Sequence, residues 1–238
     1  MTLAYVLYWS FRSPYSYFVT KRLVALARDY GVACNVRVVY PIAVRQPEFF
    51  DKNDPLWLSY FMRDIFRCAE FLGLPFGWPS PDPVVMDMAT RTYPMEQPYI
   101  YRLTQLGQAA SEAGKGLAFL DEVSSLIFGG AVRDWHLGDH LARATERAGL
   151  DLATLDAQVA ADPDRFDAAI KANQDAQRLG GHYGVPLMVF DHEPFYGQDR
   201  FDQMQWRMTQ KGLRRRDGLA GSIGWDSASA AFAQLQTP

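Results

Sequence analysis

The sequence is short of every feature that would commit it to a scaffold held by something other than its own core. It contains only two cysteines, Cys34 and Cys68, whose spacing fits neither a zinc ligand set nor a redox pair. Two thiols also cannot build the disulfide framework of a small secreted domain. No apolar run approaches the ~18 residues that a membrane span needs, and Met1–Trp9 lacks the basic segment, apolar stretch and small-residue cleavage site of a secretory leader. Charge of one sign is scarce as well. Lys and Arg number 24 against 27 Asp and Glu, a formal −3, which leaves no chain-wide attraction to nucleic-acid or lipid phosphates. The basic run Arg214-Arg215-Arg216 is short and reads as a solvated turn or tail. No fixed-period repeat or low-complexity tract is present. The expectation is a cytoplasmic chain with no membrane, nucleic-acid or metal partner.

What is present is a globular composition. The 238 residues are 48% hydrophobic, enough to bury a core in one large or two small domains. Aromatic residues reach 14%, and many stand in proline-rich stretches such as Gly77-Trp78-Pro79 and Thr92-Tyr93-Pro94. Such rings either line a pocket for a planar apolar ligand or simply pack in the core.

Leu3–Trp9 is an apolar, β-branched and aromatic run that predicts a strand buried on both faces. Ser13 as N-cap and Pro14 in the first turn then open a helix that Gly31 closes, and Val32–Tyr40 alternates as a second strand parallel to the first. From Pro41 onward the periodicity is helical, with helices expected over 54–72, 97–113, 116–128, 134–149 and 162–179 and a short one over 151–160. Strand signals return at Pro186–Phe190 and Pro194–Tyr196, a hairpin, followed by a helix with Asp199 as its N-cap. The order βαβ, helices, ββα describes an α/β, thioredoxin-like fold interrupted by a large all-α insertion. The expected division is a discontinuous thioredoxin-like domain of 1–42 and 180–212, an α-helical insertion of 43–179, and a loosely attached C-terminal tail of 213–238.

The chemistry concentrates where strand meets helix. In thioredoxin-like proteins the first helix opens on Cys-x-x-Cys; here the same place reads Ser13-Pro14-Tyr15-Ser16. A helix N-terminus, with its unpaired amide hydrogens and positive dipole end, stabilises a thiolate whether it belongs to the protein or to a ligand. With oxygen replacing both sulfurs, disulfide exchange is excluded, and any sulfur must arrive with a ligand, to which Ser13 would donate a hydrogen bond. Taken alone, Ser-Pro is also fully explained as a helix cap. Gly184-Val185-Pro186 reads either as a strand boundary or as a cis proline that presents Val185 to an extended peptide ligand. Gln198-Asp199-Arg200 reads either as an ordinary helix start or as a site for the carboxylate and ammonium of an amino-acid terminus. Sulfur, peptide backbone and amino-acid terminus together describe glutathione. His136 and His140 have the i,i+4 spacing of helical metal ligands, but Leu137 stands where a zinc-protease motif needs an acid, so a surface pair is expected and no metal.

The stretches WSFRSPYSYF (9–18), GHYGVPLMVF (181–190) and FYGQDRFDQM (195–204), in this order, resemble 2-hydroxychromene-2-carboxylate isomerases and kappa-class glutathione transferases, the serine branch of the thioredoxin-like family that also holds DsbA-type oxidoreductases. The resemblance implies glutathione as cofactor, with Ser13 beside its sulfur, Pro14 and Tyr15 completing that turn, Val185 ahead of a cis Pro186 on its backbone, and Gln198 and Asp199 at its γ-glutamyl end. It also implies a glutathione-binding asparagine before the first insert helix, for which Asn53 is the nearest match, and a homodimer. In the family's isomerases the bound thiolate adds to a conjugated carbon, permits rotation about the resulting single bond and leaves again. An aromatic carboxylate-like substrate would need a cation and apolar walls, for which Arg45, Lys52, Phe49, Phe50, Trp57 and Tyr93 are candidates. The alternatives are a glutathione transferase that conjugates electrophiles and a non-catalytic thioredoxin-like binding module.

Overall fold

A computed structural model describes residues 2–50, 52, 54–87 and 92–216. Asn53 and the tail from residue 217 lie outside the described residues. The sheet has four strands in the order β2-β1-β3-β4. β1 (Ala4–Trp9) lies at its centre, parallel to β2 (Ala33–Val38) and antiparallel to β3 (Leu187–Phe190), which forms a hairpin with β4 (Glu193–Tyr196). Leu7, Tyr8 and Trp9 of β1 are buried, as expected of a strand covered on both faces.

α1 (Pro14–Tyr30) connects the parallel pair. Ser13 is its N-cap and Pro14 occupies the first turn, where a missing amide hydrogen costs nothing. It ends at Gly31, whose φ of 69° is the left-handed value that favours glycine. Between β2 and β3 run α2 (Ile42–Arg45), α3 (Pro55–Leu72), α4 (Ile100–Glu112), α5 (Gly116–Phe128), α6 (His140–Arg147), α7 (Leu152–Ala161) and α8 (Pro163–Leu179). α5 packs on α1, where Tyr17 stacks on Phe128 at 5.7 Å. α4 leans on β2, its Ser111 hydroxyl donating to the Val36 carbonyl at 2.6 Å. The sheet and these helices thus share one main core, and Tyr8, Val39 and Leu187 form a second, smaller cluster with Ala176 of α8. α9 (Phe201–Gln210) closes the described fold.

Three boundaries differ from expectation, each for a physical reason. α4 starts at Ile100 rather than 97, because the buried Gln97 side chain is engaged with the Val85 amide, the Val85 carbonyl and the Pro94 carbonyl at 2.7, 3.0 and 2.9 Å. The helix expected from 134 starts at His140: Asp134 and Gly138 take φ of 52° and 59°, which no helix interior accommodates. His136 and His140 therefore share no helix, and the His136 ring meets Tyr99 at 4.8 Å in a tilted contact. Residues 213–216, expected to be loose, are tied to the end of α1. The Arg216 amide donates to the Asp29 carbonyl at 2.8 Å, the Arg215 guanidinium lies 4.0 Å from the Asp29 carboxylate, and Leu213 packs on the core. The Asp29 carboxylate, paired with Arg28 at 2.5 Å, thus has Arg215 as a second, more distant cation.

Candidate functional site

The site begins with a fixed helix start. The Trp9 indole, at the end of β1, donates to the Ser16 carbonyl and the Thr20 hydroxyl, both at 3.1 Å, which pins the first turns of α1 to the sheet. The Ser13 hydroxyl accepts from the Ser16 amide at 3.2 Å, as an N-cap does, and donates to the Val185 carbonyl at 3.4 Å. One serine therefore caps the helix and also meets the loop 172 positions later in sequence. The Val185–Pro186 peptide is cis. Ser16, where a second redox sulfur would stand, is fully buried.

That loop is braced from outside the sheet. The buried Gln177 of α8 donates to the Gly184 carbonyl at 2.7 Å and accepts from Arg45 Nη1 at 3.3 Å, while Arg45 Nη2 donates to the Tyr183 carbonyl at 3.1 Å. The Gly184 amide donates to His182 Nδ1 at 2.9 Å. This bond places the proton of the neutral imidazole on Nε2, and burial lowers the His182 pKa. A side chain at 184 has no room: a Cβ there would stand 2.5 Å from the Tyr196 ring. Tyr196 in turn stacks on His182 at 3.7 Å.

The third part is the turn at 198–200. Gly197, at φ 99°, donates its amide to the Pro186 carbonyl at 2.9 Å, fixing the turn beside the cis proline. Arg22 of α1 donates to the Gln198 carbonyl and side-chain oxygen at 2.7 and 2.5 Å and lies over the Phe201 ring at 4.9 Å. Asp199 is not the N-cap that its sequence context predicts. It sits inside a 3-10 turn, and its exposed carboxylate pairs with Arg200 at 2.7 Å, so helix α9 opens without a side-chain cap.

Rings close the circuit. Tyr15 meets Phe61 at 5.8 Å, Phe61 stacks on Trp57 at 5.2 Å, Trp57 meets Phe50 at 5.8 Å and Phe49 at 6.4 Å, Phe50 meets Tyr93 at 5.6 Å, and Phe49 meets Tyr183 at 6.2 Å. A chain of aromatic contacts thus runs from Tyr15, two residues past Ser13, to Tyr183, two residues before Val185. The Tyr15 hydroxyl donates to Asp64 at 2.5 Å. Burial and that bond push the phenol well above its usual range. Asp64 is held below the usual carboxylate range: burial alone would raise it, but hydrogen bonds from Tyr15, Arg67 and Cys68 prevail.

The structure therefore brings Ser13, Pro14, Tyr15, Val185 and Pro186 together, sets Gln198 beside them, and gathers Phe49, Trp57 and Tyr93 into the aromatic chain. Arg45 lies behind the loop, and Lys52 is an exposed residue paired with Glu48 at 3.8 Å. Asn53 is outside the described residues. Sequence reasoning missed Gln177, Arg22 and Asp64, and gave Cys68 no role. Cys68 in fact lies 3.5 Å from Asp64 and 3.9 Å from the Gln198 amide nitrogen, its thiol pushed up to about 11 by burial and by Asp64. One signal was available: Gln177 continues the helical spacing of the buried Phe166 and Ile170 and the half-buried Asn173 on α8, and a polar residue on such a stripe must have an inward partner. Trp78 lies under the Arg12 guanidinium at 5.2 Å, and Arg12 pairs with Asp82 at 2.8 Å. Among the described residues no group of His, Cys, Asp or Glu could hold a metal, and no helix is long and apolar enough to cross a membrane. A wide cleft of about 820 Å³ at the outer edge of β2 shares no residue with this site.

Comparison with known proteins agrees with this geometry. A 2-hydroxychromene-2-carboxylate isomerase of Pseudomonas putida is 23% identical over 208 residues, covering 84% of this chain and 92% of its own. One from Pseudomonas sp. strain C18 is 24% identical over 204 residues, 83% of this chain and 86% of its own. The solved structure of a 2-hydroxychromene-2-carboxylate isomerase superposes with a TM-score of 0.66 at 19% identity, over 99% of this chain and all of that one. The cytosolic disulfide reductase DsbM of Pseudomonas aeruginosa, solved with GSH, gives 0.55 at 16% identity over 89% of this chain and 100% of that one. A family model, the DSBA-like thioredoxin domain, matches residues 6–209. With strand order, cis proline and helix start all in place, the chain belongs to the DSBA-like thioredoxin family.

Proposed function

We propose that this chain is a glutathione-dependent isomerase of the 2-hydroxychromene-2-carboxylate isomerase type, acting on a flat, conjugated carboxylate in aromatic-compound catabolism. The observation that carries the reading is the Ser13 contact. A hydroxyl at the start of a 17-residue helix stands 3.4 Å from the carbonyl ahead of a cis proline, in a DSBA-like chain with no cysteine at either redox position. Such a place stabilises a thiolate by helix dipole and hydrogen bonding, yet it offers no sulfur of its own. The names of the curated relatives favour an isomerase, and a neighbour in fold was solved with GSH.

The residues present fit glutathione. The Ser13–Val185 bond is long and hence weak, so the hydroxyl can turn to a ligand sulfur with little loss and favour its anionic form. Val185 offers backbone beside the cis proline, and the Gln198 amide with the Asp199 carboxylate suits an amino-acid terminus. What bound glutathione supplies is a nucleophilic thiolate, used reversibly and recovered unchanged. The aromatic chain supplies a flat apolar wall for the second ligand.

The reading includes the division of the chain into a thioredoxin-like unit of 1–42 and 180–212 around a helical unit of 43–179. It also includes a reducing, cytoplasmic setting, which suits two free thiols. It includes a homodimer as well. Leu56, Leu58, Tyr60 and Phe66 of α3 are exposed, and Arg63 and Glu70 would pair in an antiparallel α3–α3 contact about a twofold axis. Light scattering measures that state directly; a monomer at working concentration removes this part.

The test is calorimetric titration with glutathione, together with the ultraviolet thiolate absorbance of the bound form across pH. The expected result is binding with a thiol pKa below that of free glutathione, which rises in Ser13→Ala. Absence of binding, or an unchanged thiol titration in the variant, refutes the reading. Over many turnovers with a hydroxychromene-type carboxylate, glutathione should remain stoichiometrically unchanged; net consumption would identify a transferase instead.

A further inference from the structure

Two peptide groups lead up to the cis Val185–Pro186 bond, and side chains hold three of their four polar atoms. The Tyr183 carbonyl accepts from Arg45 of α2 at 3.1 Å, the Gly184 carbonyl accepts from Gln177 of α8 at 2.7 Å, and the Gly184 amide donates to His182 Nδ1 at 2.9 Å. The fourth, the Val185 amide, donates to no group among the described residues. Its direction is therefore set by the three bonds before it. The Tyr196 ring closes over Gly184, where a Cβ would stand 2.5 Å from it, so the loop has little room for another arrangement.

Only one of the three holders changes state near neutral pH. Gln177 does not ionise, and Arg45, which burial and then the charge of Arg178 push down only to about 10, keeps its charge. His182 accepts only while its ring is neutral. That ring stacks on Tyr196 of β4 at 3.7 Å and on Tyr183 at 4.7 Å, and the charge of Asp199 acts on Tyr196 from the 198–200 turn. His182 is the only imidazole in this group, and burial is the cause that lowers its pKa. Protonation would set an Nδ1–H against the Gly184 N–H, where an accepting nitrogen now stands. We propose that His182 is the positioning residue that aims the Val185 amide at an acceptor on the ligand, and that its protonation withdraws this amide, so that binding weakens in acid. The ligand in this proposal rests on the functional reading above, but the coupling of His182 to the Val185 amide can be read without a ligand.

The experiment titrates the full chain calorimetrically with S-methylglutathione, which has no thiol of its own to ionise, at pH 7.5 and at pH 5.0. The neutral ring is the binding form; it is fully populated above about 6.5 and declines below. Wild-type affinity should therefore fall by about threefold or more between the two pH values. His182→Asn supplies an uncharged oxygen that can bond the amide two positions on, so its affinity should be the same at both. His182→Ala, which supplies no acceptor, should bind more weakly than His182→Asn at pH 7.5. In nitrogen-15 NMR spectra of the unliganded chain, the Gly184 and Val185 amide signals should move together along the His182 titration, and that movement should vanish in His182→Asn. Three results overturn the proposal: a wild-type affinity that does not change with pH, an equal loss in His182→Asn, or a Val185 amide signal that ignores the His182 titration. If S-methylglutathione does not bind the wild type at pH 7.5, the isomerase reading falls, while the NMR titration still decides whether His182 sets the Val185 amide.

Discussion

Replacing Gln177 by leucine should loosen the loop that carries Val185 more than any surface change nearby. Gln177 is fully buried, and both ends of its amide are used, by the Gly184 carbonyl at 2.7 Å and by Arg45 at 3.3 Å. Leucine fills similar volume, so the cavity contribution is small. The change leaves the Gly184 carbonyl without its donor, at a cost of about 1–3 kcal/mol. The Arg45 contact is long and partly exposed, so it adds about 1 kcal/mol, below the usual range for a charged hydrogen bond. The greater apolarity of leucine returns about 1 kcal/mol. The net loss is about 2 kcal/mol. The assay is urea unfolding at constant slope, in which the midpoint should fall with no change in slope. On the proposed function, glutathione affinity should fall with it, because the loop carrying Val185 has lost one of its braces. A loss under about 0.5 kcal/mol, or a changed slope, would refute the claim that this amide holds the loop in the folded chain.

Two further outcomes follow from the titrating groups. His182 accepts the Gly184 amide through Nδ1, which only the neutral ring can do, and its folded pKa lies below the ordinary value. Its contribution to stability is therefore complete above the unfolded value of about 6.5 and is lost as pH falls through the lower folded value. Urea midpoints taken across that window should drop less in His182→Gln than in the wild type, and equal slopes would remove the assignment. Cys68, at about 11, should react with iodoacetamide at pH 8 about 200-fold more slowly than a free thiol near 8.5. Labelling of a Cys34→Ala variant at the free-thiol rate would contradict the burial and the Asp64 contact.

The elements that were legible in the sequence are those fixed by signals lying within a few residues of each other. Ser13 and Pro14 mark the start of α1 and Gly31 its end; Asp162 and Pro163 open α8; the apolar run of β1 and the Pro186–Tyr196 hairpin declare the sheet. Where such signals met a competing side-chain contact they misled. Gln97 is bound into the loop instead of the helix, and Asp199 faces Arg200 instead of capping α9.

By itself, then, the sequence determined the order of strands and helices and the missing sulfur at the head of α1, because caps, prolines, glycines and hydrophobic period act locally. Only the tertiary structure decided what surrounds that position: Ser13 against Val185, Tyr15 against Asp64, Cys68 near Gln198, and Gln177 with Arg45 behind the loop. Each of these joins residues that are far apart in the chain. A glutamine on a buried stripe or an arginine at the end of a short helix carries no local mark of its partner. The partner is fixed only when the sheet and the helices around it share one core and their buried polar groups must be satisfied across it.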